Sequence, residues 1–210
     1  MTETPDLELL ARLGVATIHE ASGKAGLIDI ELVQVIRGSR VAGPARIAAC
    51  AQGDNLMVHA VMAEAQPGDV LVLTMPDPAP VALIGELLAT QASVRGVAGV
   101  LVDGAIRDLE QLEELGLPVW ARYVRVRGAL KDVPGRLNVP VTVGGTEIRP
   151  GDIVVLDCDG AVAVPRERVA EVQELAIARE SRELELRAKL ERGALTYDIH
   201  GLRAVIEGKG

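Results

Sequence analysis

Phenylalanine is absent from the 210 residues, and tryptophan and tyrosine together occur three times. A core with so few rings has to be built from interdigitating Val, Leu, Ile and Ala, which dominate the 49% hydrophobic share. Platforms for stacking single-stranded nucleic acid are missing as well. The formal charge of −8 includes no basic tract, so nucleic acid is not an expected partner. The two cysteines, Cys50 and Cys158, form no CxxC pair and no Cys/His ladder. A disulfide framework or a zinc finger is therefore not expected, and a reducing compartment fits. No apolar window reaches the ~18 residues of a membrane span. The N-terminus "MTETPDLELLARLG" has acidic residues and no apolar leader segment, so the expectation is a soluble, cytoplasmic protein without a membrane partner.

Several catalytic signatures are also missing. There is no GxxxxGK[ST] loop, no GxGxxG after a strand, no HExxH and no GxSxG elbow, and His19, His59 and His200 are scattered. Hydride transfer, kinase and serine-hydrolase chemistry lose support. None of Lys24, Lys131, Lys189 and Lys209 follows a strand in an apolar setting, which argues against a Schiff-base lysine.

What is present reads as one domain of mixed α/β class with more than one β layer. Residues 6–22 carry apolar positions at helical spacing, as one or two short helices. "VQVIRGSRVAGPARIAAC" reads as two strands with a bend at its glycines and Pro44. "DNLMVHAVMAEA" reads as an amphipathic helix capped by Asp54. "PGDVLVL" at 67–73 and "PGDIVVL" at 150–156 echo each other, each a Pro-Gly turn feeding a β-branched run. Between the echoes the pattern predicts a helix at 83–94, a strand at 97–102, a helix at 109–115, and strands near 118–127 and 139–143. Residues 166–192 form a long charged helix with Gly193 as its stop, either a solvated arm or a helix lying on a neighbouring subunit.

The most informative stretch is "VLVDGAIRDLEQLEEL", residues 100–115. Asp103 reads as a turn residue where the strand ends. Asp108 and Gln111 have the spacing of a capping box, worth about 1 kcal/mol, and Gly116 and Pro118 close the helix. Capping leaves Arg107 unexplained, because a cation just before a helix start faces the positive end of the dipole. A bound substrate carboxylate would remove that penalty. Gly85 and Glu86 open the preceding helix, a place where backbone N–H groups bind anions, and 20 residues separate Glu86 from Arg107.

"GELLATQASVRGVAGVLVDGAIRD" resembles the RraA-like proteins, and more closely their enzymatic branch, the 4-hydroxy-4-methyl-2-oxoglutarate / 4-carboxy-4-hydroxy-2-oxoadipate aldolases. The similarity extends from "LGVATIHEASG" through "GDN" at 53–55 and both "PGD" turns to "DCDGAVAVP". It implies a β/β/α sandwich of the swivelling-domain type with a C-terminal helical arm, spanning 1–210 as a single domain. It also implies assembly as a homotrimer or hexamer, with 166–192 packed on a neighbouring subunit. The implied activity is metal-dependent release of pyruvate in the breakdown of aromatic compounds, with oxaloacetate decarboxylation alongside. Carried over by position, Asp108 is the ligand for Mg²⁺ or Mn²⁺, and Arg107 holds the pyruvyl carboxylate and enolate oxygen. Gly85, Leu87 and Leu88 supply backbone around the oxyanion. Glu86 stands where the enzymes' pattern has Asp. Among Glu174, Glu180, Glu183 and Glu185, Glu183 aligns best with the glutamate that completes the site from the next subunit. The substrate's distal carboxylate must be read by residues outside this motif; Arg122 and Arg125 are candidates, with ordinary surface charge as the alternative.

The resemblance also allows a different reading, a regulator that binds and inhibits an RNA-degrading endonuclease, for which an acidic surface is suited. A menaquinone methyltransferase, a name that attaches to similar sequences, finds no support here, since no glycine-rich nucleotide loop follows an early strand.

Overall fold

The computed structural model describes residues 5–208. Helices and strands alternate as α1 (Leu7–Ala21), β1 (Val33–Gln34), β2 (Val41–Ala49), α2 (Leu56–Glu64), β3 (Val70–Thr74), β4 (Ala82–Ile84), α3 (Glu86–Val94), β5 (Gly99–Ile106), α4 (Leu109–Leu115) and β6 (Val119–Val124). Short strands follow: β7 (Arg136–Leu137), β8 (Val141–Val143), β9 (Thr146–Ile148), β10 (Ile153–Asp157) and β11 (Gly160–Val164). The chain then enters α5 (Val169–Glu191), α6 (Thr196–Ile199) and α7 (Arg203–Ile206).

One sheet runs β1-β6-β5-β3-β2-β10-β11, with β4 added to β5 and β7 to β2, while β8 and β9 form a separate hairpin. β2, β3, β5 and β6 are parallel. Every residue of β3 and β5 is buried, as expected of parallel strands covered on both faces. One face carries α2, α3 and α4, with Val58, Met62, Leu88 and Leu112 packed on Leu71, Leu73, Val100 and Ile106. The other face packs Ile47, Val72, Leu101 and Trp120 against Val143, Ile148 and Leu156. A third cluster joins α1 and α5, through Leu10, Ile18, Val172 and Ala176, to Val155 and Val162. The architecture is thus mixed α/β with two β layers and helices, as the resemblance implies, and the C-terminal helical arm is present.

The bend expected at Gly43 and Pro44 is a change of partner within one continuous strand. Val41–Pro44 pair antiparallel with β10, whereas Ala45–Ala49 pair parallel with β3. The two PGD turns are physically alike: Asp69 accepts the N–H of Gln66 and Asp152 that of Arg149, each three residues back, and both carboxylates are buried. The strands they feed flank β2 on either side.

Three local expectations are corrected. The strand predicted at 97–102 runs to Ile106 and carries Asp103 inside it, 2% exposed and ion-paired with Arg122, so Asp103 is not a turn residue. The helix predicted from 83 starts at Glu86, because Ala82–Ile84 pair with β5. Asn55, not Asp54, is the α2 cap residue, although Asp54 Oδ1 does accept the Leu56 N–H at 2.8 Å.

α5 is buried only at Val169, Val172 and Ala176, and α6 and α7 bury nothing. Cys50 is buried and Cys158 exposed, both as free thiols. Burial pushes the Cys50 thiol up to about 12, so it stays protonated at neutral pH. Among the described residues, no helix is long and apolar enough to cross a membrane.

Candidate active site

β4 and β5 end side by side and deliver the two halves of the site. Ile84 pairs with Ile106, and the Arg107 N–H donates to the Ile84 carbonyl at 3.3 Å. Gly85 and Glu86, which open α3, are thereby brought against Arg107 and Asp108, which lead into α4.

Asp108 has left-handed backbone, φ 59° and ψ 46°, a region that disfavours side chains by about 1–2 kcal/mol but is tolerated best by Asn and Asp. Its carbonyl accepts from the Leu112 N–H, so it does head α4. Its side chain does not cap α4, and the capping box expected with Gln111 is absent. The carboxylate instead turns to α3, where Oδ2 accepts the Glu86 N–H at 3.1 Å and lies 3.5 Å from Arg107 Nε. An anion at a helix N-terminus is favoured by the dipole and by the unpaired N–H groups there. Of the first N–H groups of α3, that of Glu86 goes to Asp108 and that of Ala89 to the Gly85 carbonyl. Those of Leu87 and Leu88 have no partner within the helix.

Two glycines make the space. A Cβ at Gly85 would lie 2.4 Å from Asp108 Oδ2 and 3.0 Å from Arg107 Cγ, and one at Gly128 would lie 3.0 Å from Arg107 Nη1. Gly85 has an ordinary extended φ of −143°, so it is required for close approach and not for its backbone freedom. The pair it accommodates is open: the side chains of Arg107 and Asp108 are 48% and 40% exposed. Glu86, alongside, accepts a hydrogen bond from Thr90 Oγ1 at 3.1 Å, which fixes its carboxylate one turn down the helix.

A cleft of about 150 Å³ opens here, lined by Gly85, Leu87, Leu88, Arg107 and Asp108 together with Asn55, His59 and Lys131. The predicted substrate and metal positions therefore line one cleft, whereas Glu86, next to Gly85, is not among the lining residues. Glu183 does not line it either. That residue sits on α5, where it pairs with Arg179 at 2.8 Å. Arg122 is held by Asp103, and Arg125 donates to the Val124 carbonyl, so neither cation proposed for the distal carboxylate lines the cleft. Sequence reasoning missed Asn55, His59 and Lys131. The available signal was "GDN", in which Asp54 and Asn55 tie this wall together. Burial and the nearby Lys131 charge hold the His59 pKa below its ordinary value, which keeps the ring neutral at pH 7.

An oxygen ligand for a hard divalent cation is present in the cleft. The one carboxylate in this solvent-reaching cleft is Asp108, which commits one oxygen to Glu86 and leaves Oδ1 without a hydrogen bond among the described residues. The other acidic group, Asp157, Cys158 and Asp159, fits less well, since both Asp157 oxygens accept backbone N–H groups, from Val15 and Asp159. A larger hollow of about 910 Å³ lies near Arg46 and Arg166 and shares no residue with the cleft.

Comparison with known proteins places this geometry in context. A protein of Halalkalibacterium halodurans with the provisional name 4-hydroxy-4-methyl-2-oxoglutarate aldolase is 34% identical over 168 residues, 80% of this chain and 78% of that protein. The crystal structure of Streptomyces coelicolor RraAS2, described as an unusual member of the RNase ES inhibitor RraA family, aligns with a TM-score of 0.76. It is 34% identical, with 88% of this chain and 98% of that one covered. A Geobacillus kaustophilus structure named S-adenosylmethionine:2-dimethylmenaquinone methyltransferase aligns with a TM-score of 0.66 at 27% identity, covering 72% of this chain and 94% of that one. The names diverge while the fold does not, so function has to be argued from the site. Residues 15–163 match the family model for RraA-like proteins, described as Aldolase/RraA, and the chain belongs to that family.

Proposed function

We propose that this protein is a divalent-metal-dependent lyase. It cleaves 4-hydroxy-4-methyl-2-oxoglutarate or 4-carboxy-4-hydroxy-2-oxoadipate to release pyruvate, and decarboxylates oxaloacetate through the same enolate. The observation that carries this reading is the Arg107–Asp108 corner: an open ion pair on strained backbone, packed against a helix start through Gly85. Strain of this kind persists where surrounding structure enforces it, and it clusters at functional sites. The name of the Halalkalibacterium halodurans relative supports the same chemistry.

Asp108 would hold Mg²⁺ or Mn²⁺, with Glu86 as its outer partner. When bound, the cation supplies the Lewis acidity that draws electrons toward the C2 carbonyl. Arg107 grips the C1 carboxylate with paired N–H donors, and the Leu87 and Leu88 N–H groups face the 2-oxo oxygen. Glu86, through a water, takes the proton from the C4 hydroxyl. The O–H pair becomes the new C4 carbonyl, the C3–C4 bond breaks, and its electrons enter the enolate, whose charge Arg107 faces. Protonation at C3 gives pyruvate. In decarboxylation, loss of CO₂ leaves the same enolate.

The test is pyruvate release from these hydroxylated 2-oxo diacids and from oxaloacetate, with and without Mg²⁺ or Mn²⁺. Turnover only with metal is expected, and no turnover of any of them under either condition would reject the reading. Glu183 of a neighbouring copy would complete the site in a trimer or hexamer, for which it would have to exchange its pairing with Arg179 on the same helix. Such an enzyme would work in the cytoplasm.

A second reading has its own support in the Streptomyces inhibitor relative and in the −8 charge. A protein regulator of an RNA-degrading endonuclease needs no strained Arg–Asp corner. Capture of such an endonuclease by the Arg107→Ala variant as well as the wild type, without any pyruvate release, would favour it.

A further inference from the structure

If the site handles 2-oxo acids, something must read the second carboxylate that distinguishes these substrates from pyruvate. Arg107 is engaged by the first, and Arg122 and Arg125 are elsewhere. Lys131 is the remaining cation on the cleft wall, and it has no ion-pair partner among the described residues.

The segment carrying Lys131 is fixed far more firmly than an exposed loop ordinarily is. The Leu130 N–H donates to the Gly53 carbonyl at 3.0 Å, and the Asn55 N–H returns a bond to the Leu130 carbonyl at 2.9 Å. On the other side of Lys131, the Asp132 and Val133 N–H groups donate to Asp54 Oδ2 at 2.7 and 2.9 Å. Asp54 is 1% exposed, and its remaining oxygen is taken by Leu56 N–H. Lys131 is thus pinned before and after, with only its side chain at liberty. A buried carboxylate satisfied entirely by backbone N–H groups is an expensive way to fix a surface loop unless the position of that loop matters.

The wall around it is polar on one side. Asn55 is 7% exposed and donates to the Leu83 carbonyl, which leaves its buried Oδ1 without a donor. His59 adds a neutral ring, so Lys131 is the one cation besides Arg107 among the residues lining the cleft. A cleft of about 150 Å³ is well below the ~300 Å³ of an ordinary drug-sized pocket, which suits a small acid held at both ends.

We propose that Lys131 determines substrate class by pairing with the distal carboxylate of a 2-oxo diacid, and that Asp54 is the positioning residue that holds Lys131 there. The inference rests on the aldolase reading and goes beyond it by separating dicarboxylate from monocarboxylate substrates.

The test compares two reactions of the metal-loaded protein that share one enolate: decarboxylation of oxaloacetate, with two carboxylates, and deuterium exchange at the methyl group of pyruvate, with one. Lys131→Met is expected to raise KM for oxaloacetate by roughly 10- to 100-fold, the range for one charge-assisted bond, while pyruvate exchange changes by less than about 3-fold. Lys131→Arg should recover part of the loss. Asp54→Asn should raise KM for oxaloacetate in the same direction with kcat and pyruvate exchange little changed. Should that variant fail to fold, as read by its melting curve, Lys131→Met decides alone. Equal effects of Lys131→Met on both reactions, or no effect on either, would overturn the proposal. Wild-type protein that supports neither reaction removes the aldolase reading and this inference together, an outcome distinct from a competent wild type with an indifferent Lys131.

Discussion

β5 and the turn that follows it contribute two aspartates that each meet an arginine, and the two pairs have contrasting characters. Asp103, inside the strand, pairs with Arg122 on β6; their side chains are 3% and 25% exposed and the backbone is regular strand. Asp108, just past the strand end, sits beside Arg107 at 3.5 Å with both side chains substantially exposed and its own backbone left-handed. The first pair is largely withdrawn from solvent, Asp103 almost completely. The second keeps a free carboxylate oxygen and a guanidinium whose donors are not consumed. Residue type does not separate a structural ion pair from one proposed to meet a substrate. Exposure to the cleft, together with strain held in place by its neighbours, does.

Four substitutions would break or sharpen that contrast. The largest effect is expected from Arg107→Ala, with kcat/KM for metal-dependent pyruvate release falling at least ~1,000-fold, about 4 kcal/mol of transition-state stabilisation, and a melting temperature within about 2 °C of wild type. Asp108→Asn keeps a residue suited to left-handed backbone, so thermal stability should change by less than about 0.5 kcal/mol. Turnover should fall roughly 100-fold, and calorimetric Mg²⁺ binding should vanish. Asp103→Ala inverts the pattern. Leaving Arg122 unpaired should destabilise the chain by about 2–3 kcal/mol, less than for a fully buried pair because a quarter of Arg122 stays in solvent. Its melting temperature should drop by roughly 5–10 °C, while kcat at 20 °C stays within about 3-fold. The smallest effect belongs to Gly128→Ala: its Cβ would stand 3.0 Å from Arg107 Nη1, at the flexible end of that side chain, so KM should rise less than about 10-fold with stability unchanged. A large loss of activity in Asp103→Ala at full folding, or none in Arg107→Ala, would erase the distinction.

Much of this was legible in the chain. α4 has the bounds expected from its apolar spacing and from Gly116 and Pro118, because those are local signals. The PGD echo corresponds to two turns built on the same Asp-to-backbone bond. Arg107 and Asp108 stood out because a cation before a helix is locally unfavourable. What sequence could not supply is non-local. Asp103 looked like a strand end because its partner, Arg122, lies on another strand. Asp108 looked like an ordinary cap because its side-chain direction depends on α3, more than 20 residues earlier. Lys131 looked incidental because the carboxylate that fixes it, Asp54, is 78 positions from Asp132.

The backbone of Asp108 also bears on descent. The residues most at ease in its conformation are Gly and Asn, and either one removes the carboxylate. Folding keeps only a partial claim on the aspartate, through the bond to the Glu86 N–H, so the proposed reaction would be the stronger reason to retain it. A duplicated copy released from that requirement has a short route to a sturdy scaffold with no catalytic task, free to be recruited as a binding protein.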